Sequence, residues 1–331
     1  MKLRYCKKYD QADAVVAYKD WMLIIDFLGI HFIDKESGLE KDAIIDFYQG
    51  CEPRLFGDDF LLLKNEDHGY KTYDLKNRKP LSELKAYEKG MIADHGDLIH
   101  DGKLYLLSGK NGDDFRGNFS FQNEDAPNNS LLIYSLKDLS LVDEIPFEKC
   151  IDHIIHVPFR DSFLFVGRDH HVYEMTKDGN MTLAEDAPFF VDNFLINEEK
   201  KQVYFITDFG VRLFDEKLKE LNRYDLISDE YDQDAGILLQ SGPELMTVPK
   251  QWLRKEIIHG IELISPSYMV MMSSKKTGAT YSLSLISTEN GNFDFVANFN
   301  YPIESIWAKD GILYVSTHRC ILVMEAVDND L

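Results

Sequence analysis

Positive charge, cysteine and long apolar runs are all scarce in this sequence, and each scarcity excludes something. Lys and Arg number 36 against 57 Asp and Glu, a net charge of −21 over 331 residues. A surface this negative repels phosphate backbones, so no nucleic-acid partner is expected; it attracts a basic protein or another cationic ligand instead. The four cysteines, Cys6, Cys51, Cys150 and Cys320, lie far apart with no C-x-x-C pair. That spacing argues against a zinc knuckle and a disulfide framework, and reads as thiols of a reducing compartment, so the cytoplasm is the expected location. No run nears the roughly 18 apolar residues of a membrane span. The longest, such as Trp21 to Ile25, have the length of a strand. The basic stretch Met1 to Tyr9 has no apolar segment behind it and does not read as a signal peptide. A monomer with no membrane contact is expected. Catalytic signatures are lacking too: there is no G-x-S-x-G, H-E-x-x-H, P-loop or dinucleotide fingerprint.

Aromatic residues are plentiful, with 21 Phe and 17 Tyr, as in β-rich proteins. They fall into a repeating unit. Short runs rich in aromatic and aliphatic residues begin at Trp21, Phe60, Leu104, Phe163, Val203, Tyr268 and Leu313, in steps of 39, 44, 59, 40, 65 and 45 residues. Periods of this size mark propeller blades or arrays. Alternating runs such as Gly29 to Asp34, Gly210 to Asp215 and Cys320 to Met324 follow, each the pattern of a half-buried strand. Turns such as Asp34-Lys35-Glu36-Ser37-Gly38, Lys177-Asp178-Gly179-Asn180 and Glu289-Asn290-Gly291-Asn292 supply residues that tolerate positive φ.

The spacing predicts an all-β, single-domain β-propeller of seven blades, with six or eight blades, or a sandwich or solenoid, as alternatives. The last unit ends one strand short while a spare strand, Leu3 to Tyr9, precedes the first. Pairing of that strand beside Cys320 to Glu325 closes the propeller and removes two sheet edges. The two long steps predict insertions at 109–129 and 227–257, and Lys250 to Ile258 reads as two helical turns. The first strand of the sixth unit is either Asp234 to Gln240 or Ile258 to Ile264.

A carboxylate precedes the apolar run of every unit: Asp13, Glu52, Asp97, Asp152, Asp192, Glu262 (or Asp234) and Glu304. Acids are about one residue in six here, so seven of seven exceeds chance. In a propeller these residues line one mouth of the central channel, where two readings compete. Each carboxylate fixes a turn by accepting backbone N–H bonds, or together they form a negative funnel for a basic partner or a divalent cation such as Ca²⁺. His95, His100 and His153 are expected near the same mouth, which makes His95 and His153 candidate metal ligands beside the acids. His153 and His156, three apart on a strand, point to opposite faces.

The unit, clearest at Asp101-Gly102-Lys103-Leu104-Tyr105 and Asp310-Gly311-Ile312-Leu313-Tyr314, resembles the degenerate repeats of bacterial β-propeller proteins. The tryptophan–aspartate signature of WD40 blades and the tandem glycines of kelch blades are absent. The resemblance implies an architecture only, since propellers serve as binding platforms and as enzymes. The expectation is therefore a non-enzymatic binding protein for a basic partner, with no resident cofactor. The alternative is a metal-dependent hydrolase or lyase with an acid-lined channel and an ion-activated water.

Overall fold

The computed structural model describes residues 1–47, 50–65, 69–85, 91–109, 129–147, 151–167, 171–176, 180–185, 191–207, 210–226, 256–275, 280–317 and 320–327. The described residues hold 28 strands, arranged as seven four-stranded antiparallel sheets. After β1 (Lys2–Asp10), the first blade comprises β2 (Ala14–Tyr18), β3 (Trp21–Asp26), β4 (Gly29–Asp34) and β5 (Glu40–Ile45). The second comprises β6 (Gly50–Phe56), β7 (Phe60–Asn65), β8 (Tyr70–Asp74) and β9 (Lys79–Leu84). The third comprises β10 (Met91–His100), β11 (Lys103–Gly109), β12 (Asn129–Ser135) and β13 (Leu141–Phe147). The fourth has β14 (Ile151–Val157), β15 (Ser162–Gly167), β16 (Val172–Met175) and β17 (Met181–Glu185). The fifth has β18 (Val191–Asn197), β19 (Gln202–Thr207), β20 (Gly210–Phe214) and β21 (Glu220–Asp225). The sixth has β22 (Glu256–Ser265), β23 (Tyr268–Lys275), β24 (Tyr281–Ser287) and β25 (Phe293–Phe299). The seventh is built from β26 (Ile303–Lys309), β27 (Ile312–Thr317) and β28 (Cys320–Val327), with β1 bonded to β28 as its fourth strand. The spare strand and the short last unit thus complete one sheet.

The chain divides into two compact units, Tyr9–Pro188 and Met1–Lys8 with Phe189–Leu331. Within each, the cores lie between consecutive blades. In the second blade Leu61 and Leu63 pack with Leu23 and Ile25 of the first, while Leu62 packs with Leu104 and Leu106 of the third. Successive side chains of a strand point to opposite faces, so a blade with neighbours on both sides needs apolar residues at every position of its second strand. That is why the apolar runs in the sequence are continuous; in β15 every residue is buried. The same logic joins the sixth and seventh blades through Val270, Met272, Ile306 and Val315.

Turn chemistry follows the sequence closely. Asp101 and Gly102 have φ of 47° and 68°, and Asp310 and Gly311 have 51° and 77°, so both Asp-Gly pairs form two-residue hairpins. Gly38 and Gly291 also take positive φ, and their N–H groups donate to the carbonyls of Asp34 and Ser287. Residues 177–179 of the third expected turn lie outside the described residues. On the outer side of the first six blades, the fourth strand bulges against the third, for example at Leu81 and Val142. Bulges of this kind spoil an exposed edge as a template for another chain.

One alternative is settled and one expectation changes. The inner strand of the sixth blade is β22, which contains Ile258 to Ile264, so the Glu262 reading holds and not the Asp234 one. The helix expected over Lys250 to Ile258 is not formed at its C-terminal end, where Glu256, Ile257 and Ile258 pair with Lys275, Ser274 and Ser273. Two successive β-branched residues are costly in a helix and favoured on a pleated surface. The rest of that segment, and nearly all of both insertions, lie outside the described residues. Among the described residues no helix is long and apolar enough to cross a membrane.

Candidate functional site

The ladder between the first and second strands is irregular in six blades, twice in the sixth and once in each of the others, and register sets where. In the seventh blade five pairs, Lys309↔Ile312 to Ser305↔Ser316, are followed by Glu304 as an extra residue before Ile303↔Thr317. Five pairs likewise precede Asp152 in the fourth blade and Asp192 in the fifth, each an extra residue in its ladder. In the first blade five pairs end at Ala14↔Ile25; Asp13 comes next, its N–H donating to the Ile25 carbonyl at 2.8 Å. Four of the seven expected acids therefore share one register position, at the end of the blade where the inner strand begins. A bulge re-aims the side chain it carries and leaves local backbone groups unpaired.

The other three acids sit elsewhere on their strands. In the second blade the extra residue is Cys51, and Glu52 is the paired residue beside it, opposite Lys64. In the third blade the irregularity spans residues 93–96, and Asp97 lies beyond it opposite Leu106. In the sixth blade the bulge residue is His259, and Glu262 lies three positions further on, opposite Val270. The His259 Nε2 is 2.7 Å from Ser274 Oγ, and burial lowers its pKa. His95 falls within the irregular stretch of β10, whereas His153 pairs opposite Val166. His100 closes β10 at its other end, where its ring stacks on His156 at 3.5 Å and meets Phe163 edge-on. The side chains of Glu52, His95, Asp152 and Asp192 lie outside the described residues. Among the described residues, no three His, Cys, Asp or Glu side chains gather as a metal site.

Asp97 and Glu262 are held in opposite ways. The Asp97 side chain is only 4% exposed, and Arg54 grips it from β6 with Nη1 at 2.7 Å and Nη2 at 3.2 Å. Lys64 Nζ lies 3.8 Å away. Burial pushes the Asp97 carboxyl up, but Arg54 and Lys64 together outweigh it and hold it below the usual range. Among the described residues, Glu262 has no such cation. Burial raises its pKa to about 8, against the lowering effect of the Ala308 N–H that it accepts from β26 of the next blade.

The first blade adds groups that the sequence pattern did not single out. Asp26 Oδ1 accepts the N–H groups of Leu28 at 2.7 Å and Gly29 at 3.2 Å. His31 bridges Asp26 and Glu40, with Nε2 and Nδ1 at 3.1 and 3.2 Å from the two carboxylates. Burial lowers the His31 pKa, and the hydrogen bonds to Glu40 and Asp26 more than reverse this, leaving it raised. This cluster supports a turn tipped by Phe27 and Leu28. Two large apolar residues at a turn, where Gly, Asn, Asp or Ser is usual, were the available signal in the sequence.

Seven four-stranded blades, the last completed by the N-terminal strand, define a β-propeller. No family model matches the chain, and no curated protein does. Among solved structures, it is similar to the β-propeller domain of Cps50 (Swd1) from Myceliophteria thermophila. The TM-score is 0.57 at 10% identity, covering 98% of this chain and 99% of that one. In all, 1052 solved chains match, so the architecture is widely shared and does not by itself select a function.

Proposed function

We propose that this chain is a non-enzymatic interaction protein that meets a basic partner with the ends of the blades where the inner strands begin. The observation that carries this is a shared register position: Asp152, Asp192 and Glu304 are extra residues in their ladders and Asp13 stands at the same count in the first blade, in a chain of net charge −21. A carboxylate repeated at one register position places negative charge at the same point of each blade that carries it. Such fields steer cationic partners and raise their rate of association.

The test is affinity capture from a cell extract at low and high salt, using the full chain and a variant with Asp13→Asn, Asp152→Asn, Asp192→Asn and Glu304→Gln. The expected partner is basic, leaves at high salt, and is lost with the variant. Capture of nothing basic at low salt overturns the proposal.

A further inference from the structure

The first blade carries an apolar surface that its own sheet does not need. At the end where β2 begins, Phe27 is 55% exposed, Leu28 37%, Ile45 64% and Phe47 77%. Register brings them together: Gly29 pairs with Ile45, and the Asp46 N–H donates to the Leu28 carbonyl at 3.0 Å. Among the described residues, the exposed large apolar residues on the outer strands of the next five blades occur singly, as Leu81, Val142, Leu183, Leu221 and Phe295. Single exposed residues need no explanation, but a contiguous group does.

The group is also built to stay exposed. A loose loop would fold its Phe and Leu back against the sheet. Here Asp26 holds the N–H groups of Leu28 and Gly29, and His31 holds Asp26. Lys71 Nζ, reaching from β8, fixes Asp46 at 2.7 Å. Gly29 has φ 143°, and a Cβ there would stand 2.0 Å from the Ile44 carbonyl oxygen, so only glycine permits this approach of β4 to β5. A surface held in place binds without the cost of being ordered first.

Charge selects the occupant. Asp13, Asp26 and Asp46 belong to the same end of this blade; His31 and Lys71 take up part of the charge of the last two, and the whole chain carries −21. We infer that Phe27, Leu28, Ile45 and Phe47 form the docking site for a short amphipathic protein segment, whose apolar side chains anchor on the patch while flanking lysines or arginines meet the acids. This rests on the interaction reading above, and gives it a location and a ligand class.

The probe is a displayed random-peptide library, panned at low salt on the full chain. Selected peptides are then measured by fluorescence anisotropy on the wild type, on Phe27→Ser with Phe47→Ser, on Phe47→Ser alone, and on the control Phe295→Ser. Peptides combining Leu or Phe with Lys or Arg are expected. The double variant should weaken them about tenfold or more, which is about 1.4 kcal/mol, while Phe295→Ser leaves them unchanged. Phe47→Ser alters the most exposed member alone and should weaken binding without disturbing the fold, as circular dichroism checks. Basic peptides that bind the wild type and the double variant equally overturn this location and leave the basic-partner reading standing. Failure to select any basic peptide overturns both. A wild-type dimer that the double variant turns into a monomer in sedimentation makes the patch an interface between copies, and overturns the proposal.

Discussion

Asp97 and Glu262 both lie on inner strands, in the third and sixth blades, and neither is exposed, yet they answer to opposite forces. Asp97 faces Arg54 and Lys64 from the second blade and stays ionised below the usual carboxylate range. Glu262 receives one N–H from the seventh blade and, among the described residues, no cation, so its carboxyl keeps its proton up to about pH 8. The difference teaches that burial alone says little about a propeller acid; what the adjacent blade offers decides its charge. His31 is an intermediate case, where two carboxylates outweigh partial burial.

The largest expected effect comes from breaking the charged side of this comparison. Arg54→Ala leaves the buried Asp97 carboxylate with Lys64 and the Tyr70 hydroxyl, and should destabilise the protein by about 3 kcal/mol in urea unfolding. Adding Asp97→Asn should recover part of that loss, because the uncompensated charge is then gone; a double variant no more stable than Arg54→Ala would contradict the pairing. The sign with pH follows from the lowered pKa. The Asp97 contribution is complete above the ordinary value of 3.8 and is lost as pH falls through the folded value.

Glu262→Gln should act in the other direction. Its raised pKa means that the folded state binds the proton more tightly, so wild-type stability falls as pH rises from 4.5 to about 8. The glutamine keeps an acceptor for Ala308 N–H and carries no charge. Relative to wild type it should be neutral near pH 4.5 and more stable by about 2–3 kcal/mol near pH 8. A stabilisation that does not change across this range would show that Glu262 is not titrating.

His31→Gln should have the smallest effect. With its pKa raised, His31 contributes fully below the ordinary 6.5, and that contribution is lost as pH rises through the folded value. Thermal unfolding should show a loss of about 1 kcal/mol at pH 5.5 that fades toward pH 9. An equal loss at both ends would mean that shape, and not charge, is what His31 supplies.

Much of the fold was legible because the blade repeat is written in side-chain periodicity. Continuous runs such as Phe163 to Val166 belong to second strands buried on both faces, and the Asp-Gly pairs at 101–102 and 310–311 can hardly be anything but hairpin turns. The missing last strand and the spare first one are a matter of counting. The candidate site was legible only in part. Asp13, Asp152, Asp192 and Glu304 share a register position, but Glu52, Asp97 and Glu262 look equivalent along the chain and are not. A three-residue turn at 57–59, an irregular stretch at 93–96 and an extra residue at Ile264 shift the count between an acid and its apolar run.

The sequence by itself pointed to the blades, to seven as their leading number and to the strand that completes the last one, because these depend on local alternation and turn chemistry. Only the tertiary structure decided which residue stands at each bulge, which carboxyl is charged and which apolar side chains stay in water. Those properties depend on register and on side chains from neighbouring strands and blades, often tens of residues away, which no local pattern records.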